Sequence, residues 1–406
     1  MAGPLAGIKV IDLSRVLAGP WASQLLADYG ADVIKVERPG TGDDTRSWGP
    51  PWLQDEQGGE TGESAYFQSA NRNKRSITID LAQQRGQEIV KALAATADVF
   101  IENFRVGTLK RFGLDAAALQ SVNAQLVYCS ISAWGQQGSR AAEPGYDAMM
   151  QASAGLMSIT GNADGAGGGP QKVGVAIADI MAGMYATTAI LAALQARQQS
   201  GKGQFIDVPL YDSQVAWLAN QAMNYLVSGK VPGRLGTAHP NIVPYQAFAT
   251  RDGHLMLAVG NDRQFRACVT CLDCPELSAS PNYATNAARV ANRESLVELL
   301  SERFRQRRTS QWIDALREAQ VPCGAINNLA EVFSGPYAGE RQLVRMLPHQ
   351  IAGATPSVAN PVHFSMTPVE YHHAAPTLGQ HTTAILSETL GYTEQEIDEL
   401  RNSGVV

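Results

Sequence analysis

The chain is poor in charge. Only 17% of its 406 residues are Asp, Glu, Lys or Arg, and the formal net charge is −6. No sizeable basic stripe is present, which argues against nucleic acid or an anionic membrane surface as a partner. Cysteine is scarce, with five in all. Cys268, Cys271 and Cys274, followed by Pro275, look briefly like an iron–sulfur run, but no fourth ligand lies nearby. Arg263–Leu272 also reads as one amphipathic helix, so these are expected to be structural thiols, as are Cys129 and Cys323. His372-His373 has no further ligands around it, and no metal is expected. The N-terminus Met-Ala-Gly-Pro-Leu-Ala-Gly lacks a secretory pattern and is not an Arg-rich transit peptide. The apolar run Ile180–Leu194 is rich in Ala, Gly and Thr and has Asp179 at its start, so it reads as a core helix and not a membrane span. The expectation is a soluble cytoplasmic protein.

What the chain does have is a well-buried globule's composition, 45% hydrophobic. Gly7–Leu13 reads as a strand, Pro20–Tyr29 as a helix closed by Gly30, and Asp32–Val36 as a second strand. That βαβ unit implies a parallel sheet of nucleotide-binding type, although no G-x-G-x-x-G loop follows the first strand. Helix and strand alternate again through Gln84–Ala95, Val99–Glu102, Ala116–Val122 and Leu126–Ile131. Gln204–Pro209 is expected as a strand and Ser213–Leu226 as a single helix. Gly229, Pro232, Gly233, Gly236 and Pro240 then mark a linker. Beyond it, a hairpin about Arg251-Asp252-Gly253 and helices at Arg263–Leu272, Arg293–Arg305 and Ser310–Gln320 form a small α+β domain. The last of these is expected to be capped by Thr309-Ser310. The remainder reads as extended up to Leu378, with a final helix announced by the capping box Thr393-x-x-Glu396. The expected domains are residues 1–225, 226–325 and 326–406. The only low-complexity stretch is Ala163–Gly169.

Asp179 is the only charged residue from Val173 to Ala196. An unpaired buried charge costs several kcal/mol, roughly 3 or more, so such a carboxylate is either paired or used. Gly167–Pro170 reads as loop and the following residues as helix, which sets Asp179 near a helix N-terminus. There the dipole and free N–H groups are expected to favour its ionised form, a possible nucleophile. The alternative is a helix-start carboxylate bonded to backbone. Positive charge is local, at Lys35 and Arg38, Arg72 to Arg75, and Arg105 to Arg111, a pattern that suits a small anionic ligand.

Several segments resemble one family. Pro4-Leu5-x-Gly7-Ile8-Lys9-Val10-Ile11-Asp12-Leu13 with Ala18-Gly19-Pro20, Gly30–Glu37 with Arg38-Pro39-Gly40-x-Gly42-Asp43, Asn73–Ile77, Glu102-Asn103-Phe104 and Pro144-Gly145-Tyr146-Asp147 are similar to class III CoA-transferases, the formyl-CoA and carnitine CoA-transferase family. In the second half, Gly236–His239, Ile242–Phe248, Gly260-Asn261-x-x-Gln264-Phe265, Val321–Asn328, Leu378–Thr383 and Ser403–Val406 look most like the succinyl-CoA:glutarate branch. The resemblance implies an α/β fold with a Rossmann-like large domain plus a small α+β domain, in an interlaced homodimer. It also implies coenzyme A, carried as acyl-CoA, a carboxylic acid acceptor such as glutarate, and no metal.

By the same resemblance Asp179 matches the catalytic position. Val16, Leu17, Ala18, Arg38, Ile79, Leu81, Asn103, Phe104, Arg105, Arg111, Tyr146 and Asp147 match CoA-contacting positions. A dicarboxylate needs a cation for its far end, for which Arg46, Arg234 and His239 are candidates, and Gly260-Asn261 is the nearest counterpart of a glycine lid. Itaconate or another dicarboxylate is an alternative acceptor. A 2-methylacyl-CoA racemase would need His where Tyr146 stands, and a phenol with pKa near ~10 is a poor proton shuttle at neutral pH. A non-catalytic nucleotide-binding protein is the remaining reading, against which the retained Asp179 counts.

Overall fold

The computed structural model describes residues 3–163, Gly165 and residues 167–406. Asp164 and Ala166 of the low-complexity stretch and the first two N-terminal residues lie outside the described residues. The chain divides into two compact units. The first runs to Leu156, resumes over Val173–Ser228 and finishes with Pro336–Val406. The second comprises Met157–Lys172 and Gly229–Gly335. The small unit therefore takes in a segment before Asp179 and extends ten residues beyond the expected 325.

The first unit is built on a six-stranded parallel sheet. Its strands are β1 (Lys9–Asp12), β2 (Asp32–Glu37), β5 (Lys74–Thr78), β6 (Val99–Glu102), β7 (Val127–Ser132) and β8 (Phe205–Pro209), with β3 (Trp52–Gln54) and β4 (Glu60–Ser64) forming a separate hairpin. The order β5-β2-β1-β6-β7-β8 reverses direction at β1, the doubly wound arrangement. Period-two side-chain alternation explains the burial on both faces. Ile11, Ile34 and Phe100 enter one core with the helices Gln84–Ala95, Ala116–Val122 and Glu394–Asn402. Val10, Val33 and Val99 enter the opposite core with the helices Ala18–Asp28 and Ile177–Ser200. The last helix is capped by Thr393, whose hydroxyl accepts from Glu396 N–H.

Four expectations about elements are corrected. The expected cation cluster Arg72 to Arg75 runs into a strand, Lys74–Thr78, whose buried positions are Lys74, Ser76 and Ile77, a pattern that hides its period. Ser213–Leu226 is two helices, Leu210–Ala216 and Ala219–Ser228, interrupted where Ala219 takes φ +46°. The segment after Pro322 is not simply extended. It contains the helices Leu329–Ser334 and Pro336–Glu340. An antiparallel hairpin of Val344–His349 on Gly353–Val358 follows them. In the second unit, three strands, Tyr245–Ala249, His254–Ala258 and Cys323–Ala325, pack antiparallel under helices. The helix Thr309–Glu318 has Arg308 at its N-cap, and Asp252 from the hairpin accepts from Thr309 N–H at 2.8 Å. Cys268 and Cys274 are buried in the second unit's core, where burial raises their thiol pKa values.

The helix Ile177–Ser200 is long and apolar enough to cross a bilayer by length and composition alone. Its inner face packs on Ala18–Asp28 and on the sheet.

Candidate active site

Where the strand order reverses, the loops after β1 and β6 lie side by side, the place at which open α/β sheets bind ligands. Asn103 ties the two loops. Its Oδ1 accepts from Arg15 N–H at 2.8 Å, and its Nδ2 donates to Arg15 O at 2.7 Å. Val16, next along, has φ +70°, a left-handed conformation costly for a β-branched residue. Its N–H donates to both Asp43 oxygens at 3.1 and 3.2 Å. Asp43 is held in turn by Lys35 Nζ at 2.9 Å and by Thr45 N–H at 3.0 Å. Both partners of the Lys35–Asp43 pair are fully buried. The chain around Val16 is thus pinned from two sides before any ligand arrives.

Asp179 comes to this place on the long helix. Ala176 at the N-cap has no capping side chain, and Asp147 takes over the role from the neighbouring helix Asp147–Ser153. Its Oδ1 accepts from Ala178 N–H at 2.7 Å and lies 3.4 Å from Asp179 N. Gln151 holds Asp147 with an Nε2 donation of 2.7 Å, and its own Oε1 accepts from Val173 N–H. One turn on, Gly183 lets the helix close on the β1 loop. A Cβ there would stand 2.6 Å from Ala18 O.

Asp179 is only 8% exposed. Among the described residues none donates a hydrogen bond to its carboxylate, and none forms an ion pair with it. Burial first, and the Asp147 carboxylate second, push its pKa up to about 7. This corrects the expectation that the helix start would favour the ionised form, because the first free N–H groups are taken by Asp147. It also sets aside the reading of Asp179 as a backbone cap.

Asp179 opens onto a cleft of about 180 Å³ lined by Val16, Leu17, Ala18, Asn103, Phe104, Arg105 and Tyr146. A groove of about 420 Å³ beside it is lined by Arg38, Ile79, Leu81 and Phe104. Arg15, Asp44 and Phe104 border both spaces. Phe104 is oriented by its N–H, which donates to Glu102 Oε2 at 2.8 Å. Burial pushes the Glu102 carboxyl up to about 7. The residues expected at the CoA site therefore converge, with two exceptions. Arg111 is exposed in the last turn of the helix Thr108–Arg111 and lines neither space. Asp147 acts on Asp179 through the helix start and does not border the cleft.

Arg46 is excluded as a free cation. Nε and Nη2 donate to Glu37 at 2.8 Å each, Nη1 to Glu63 at 3.2 Å and Nη2 also to Pro376 O at 3.0 Å. Its plane stacks on Phe67, 3.7 Å from the ring centroid. The expected cation cluster from Arg72 to Arg75 is structural as well. Arg72 pairs with Asp28, Lys74 with Asp12 and Arg75 with Asp32. Arg234, His239, Gly260 and Asn261 belong to the second unit. Arg234 Nε donates to Asn162 O at 3.2 Å, and His239 Nδ1 accepts from Asn241 N–H at 3.1 Å. Asn261 caps the helix Asp262–Cys271, and Gln264 reaches back to Gly260 N–H.

Sequence reasoning missed Arg15, Asp44 and Gln151. Arg15 and Asp44 stand next to residues already singled out, Val16 and Asp43. Gln151 follows Asp147 by four residues, one helical turn, and that spacing was the available signal.

Human succinyl-CoA:glutarate CoA-transferase is 45% identical over 403 residues, which is 99% of this chain and 90% of the human protein. Succinate–glutarate CoA-transferase of Agrobacterium fabrum is 47% identical over 385 residues, 95% of each chain. The crystal structure of a CaiB/BaiF family protein from Brucella suis superposes with a TM-score of 0.83 at 46% identity, covering 96% of this chain and 100% of that one. The model of CoA-transferase family III matches residues 5–382, and it is to this family that the chain belongs.

Proposed function

We propose that this protein moves CoA from succinyl-CoA, or a similar acyl-CoA, to a dicarboxylate such as glutarate, with Asp179 as the nucleophile. The observation that carries the reading is a buried carboxylate with no donor and no ion-pair partner among the described residues, facing a cleft that shares Arg15, Asp44 and Phe104 with a groove beside Arg38. The names of the relatives support the substrate class. Ionised Asp179 attacks the thioester carbonyl, forming a mixed anhydride and releasing CoA thiolate. The thiolate attacks the aspartyl carbonyl, giving an aspartyl-CoA thioester and the free donor acid. The acceptor carboxylate then attacks that thioester, and the returning thiolate captures the acceptor acyl group and frees Asp179. Each step exchanges one activated acyl bond for another. Water must stay out, and Leu17 and Ala18 give the cleft part of an apolar lining. In this reading Arg38, Ile79 and Leu81 meet the CoA nucleotide, and Tyr146 borders the thiol end.

Cytoplasmic location and an interlaced homodimer belong to the same reading. Supporting the dimer, the helix Ala219–Ser228 buries none of its residues, and its Met223, Leu226 and Val227 are exposed.

The test is a transfer assay by mass spectrometry with succinyl-CoA and a panel of glutarate, itaconate, malate, oxalate and acetate, without ATP. A new thioester from a dicarboxylate is expected. Asp179→Asn should abolish transfer while CoA still binds, and wild-type-like turnover in that variant would sink the mechanism.

A further inference from the structure

Arg15 and Asp44 are the two charged side chains that border both the Asp179 cleft and the groove beside Arg38. Arg15 Nη1 lies 3.1 Å from Asp44 Oδ2, and the side chains are 48% and 55% exposed. Their stems are fixed. Asn103 holds the Arg15 main chain on both its N–H and its carbonyl. Asp44 begins a short 3-10 turn, Asp44–Ser47, capped by Asp43. The Arg15 guanidinium rests against Phe104, 5.4 Å from the ring centroid. The charged heads can therefore exchange partners while the backbone stays in place. This sets the pair apart from Lys35–Asp43 and Lys74–Asp12 close by, which are fully buried.

On the acyl-CoA reading, on which this inference rests, the thioester reaches Asp179 and the nucleotide lies by Arg38. The diphosphate must then pass the residues that border both spaces, Arg15, Asp44 and Phe104. There it meets a repelling carboxylate and a guanidinium that this carboxylate already neutralises. We propose that Arg15–Asp44 is a latch, closed in the free enzyme and opened when the CoA diphosphate replaces Asp44 as the partner of Arg15. An exposed pair is weak and gives way readily. A phosphate presents more charge and fits the guanidinium fork at least as well. Asp44 thereby holds Arg15 in place and limits how tightly CoA is retained, which favours its release after transfer.

Titration calorimetry with CoA and with dephospho-CoA tests this on the full chain. Asp44→Asn should tighten CoA binding about fivefold, the scale of an exposed pair. Arg15→Gln should weaken it by about tenfold or more. The Asp44→Asn gain should persist with dephospho-CoA, which keeps the diphosphate, and should shrink in the Arg15→Gln background. An Asp44→Asn affinity equal to or below wild type overturns the latch. So does a gain that vanishes with dephospho-CoA, or one undiminished without Arg15. If wild type takes up no CoA at all, the acyl-CoA reading falls and the latch with it, whereas normal uptake with identical affinities across the variants removes the latch alone.

Discussion

A carboxylate that must act as a nucleophile, as the proposed mechanism asks of Asp179, faces two opposed demands. Burial keeps water from the intermediates but disfavours the charge, and Asp147 adds a like charge from the helix start. The ionised fraction therefore grows through about pH 7. Transfer should fall as pH drops below that value, which a pH profile of kcat/KM on the free enzyme reports. Asp147→Asn removes the repulsion, so the acid limb should move to lower pH. A limb unmoved in that variant would assign it to another group. The same shift has a cost in stability. A native pKa above the unfolded one means that the folded state binds more protons between pH ~4 and ~7, so stability falls as pH rises through that window. A rise from 3.8 to about 7 sets a ceiling on the order of 4 kcal/mol. Asp179→Asn should accordingly melt higher than wild type at pH 8 and show no such advantage at pH 4, in parallel thermal melts.

At the scale of elements, the site depends on how closely two helices approach. The long helix can bring Asp179 to the loop after β1 only because Gly183 lacks a side chain against Ala18 O. Gly183→Val should force the backbones apart, costing about 1–3 kcal/mol, and should lower kcat more than the loss of folded protein explains. Thermal melts beside active-site titration separate the two effects. Wild-type kcat in a folded Gly183→Val protein would show that the contact does not position Asp179. Gln84–Ala95, Val99–Glu102 and Ala116–Val122 were legible to the residue, because their apolar spacing is regular and their ends are marked. β5 was not legible. Its buried Lys74 Nζ donates to Asp12, Asn71 Oδ1 and Pro20 O, so a polar residue occupies an interior position and breaks the period. The two small hairpins were also missed, β3–β4 and the one from Val344 to Val358. Burial alternates along Glu60–Ser64 and Val344–His349, but the polarity of the side chains does not follow it: Met346 is exposed while Arg345 is half-buried.

At the scale of the whole molecule, the unusual feature is the amount of exposed apolar side chain. Leu226 is 70% exposed, Val227 79% and Val231 81%, far more than scattered surface residues require. Light scattering should give a homodimer, and a clean monomer at assay concentration would contradict that reading. Leu226→Asp should weaken the assembly without reaching the core of the first unit, which sedimentation can follow.

The sequence by itself determined that this is a parallel α/β protein and that Asp179 is the only charge between Val173 and Ala196, while its resemblance to one family marked short segments that line the cleft. Those features are local, written in periodicity, capping residues and loop motifs. Only the tertiary structure decided what each charge is for. Arg46, Arg72 and Lys74 look like ligand cations in one dimension, yet they face Glu37, Asp28 and Asp12 across the fold, at separations of 9, 44 and 62 residues. Asp147 looks like a ligand contact and is the cap of another helix, 31 residues from the N–H it accepts. A buried charge is defined by its partner and by the water it has lost, and neither is set by its neighbours in the chain.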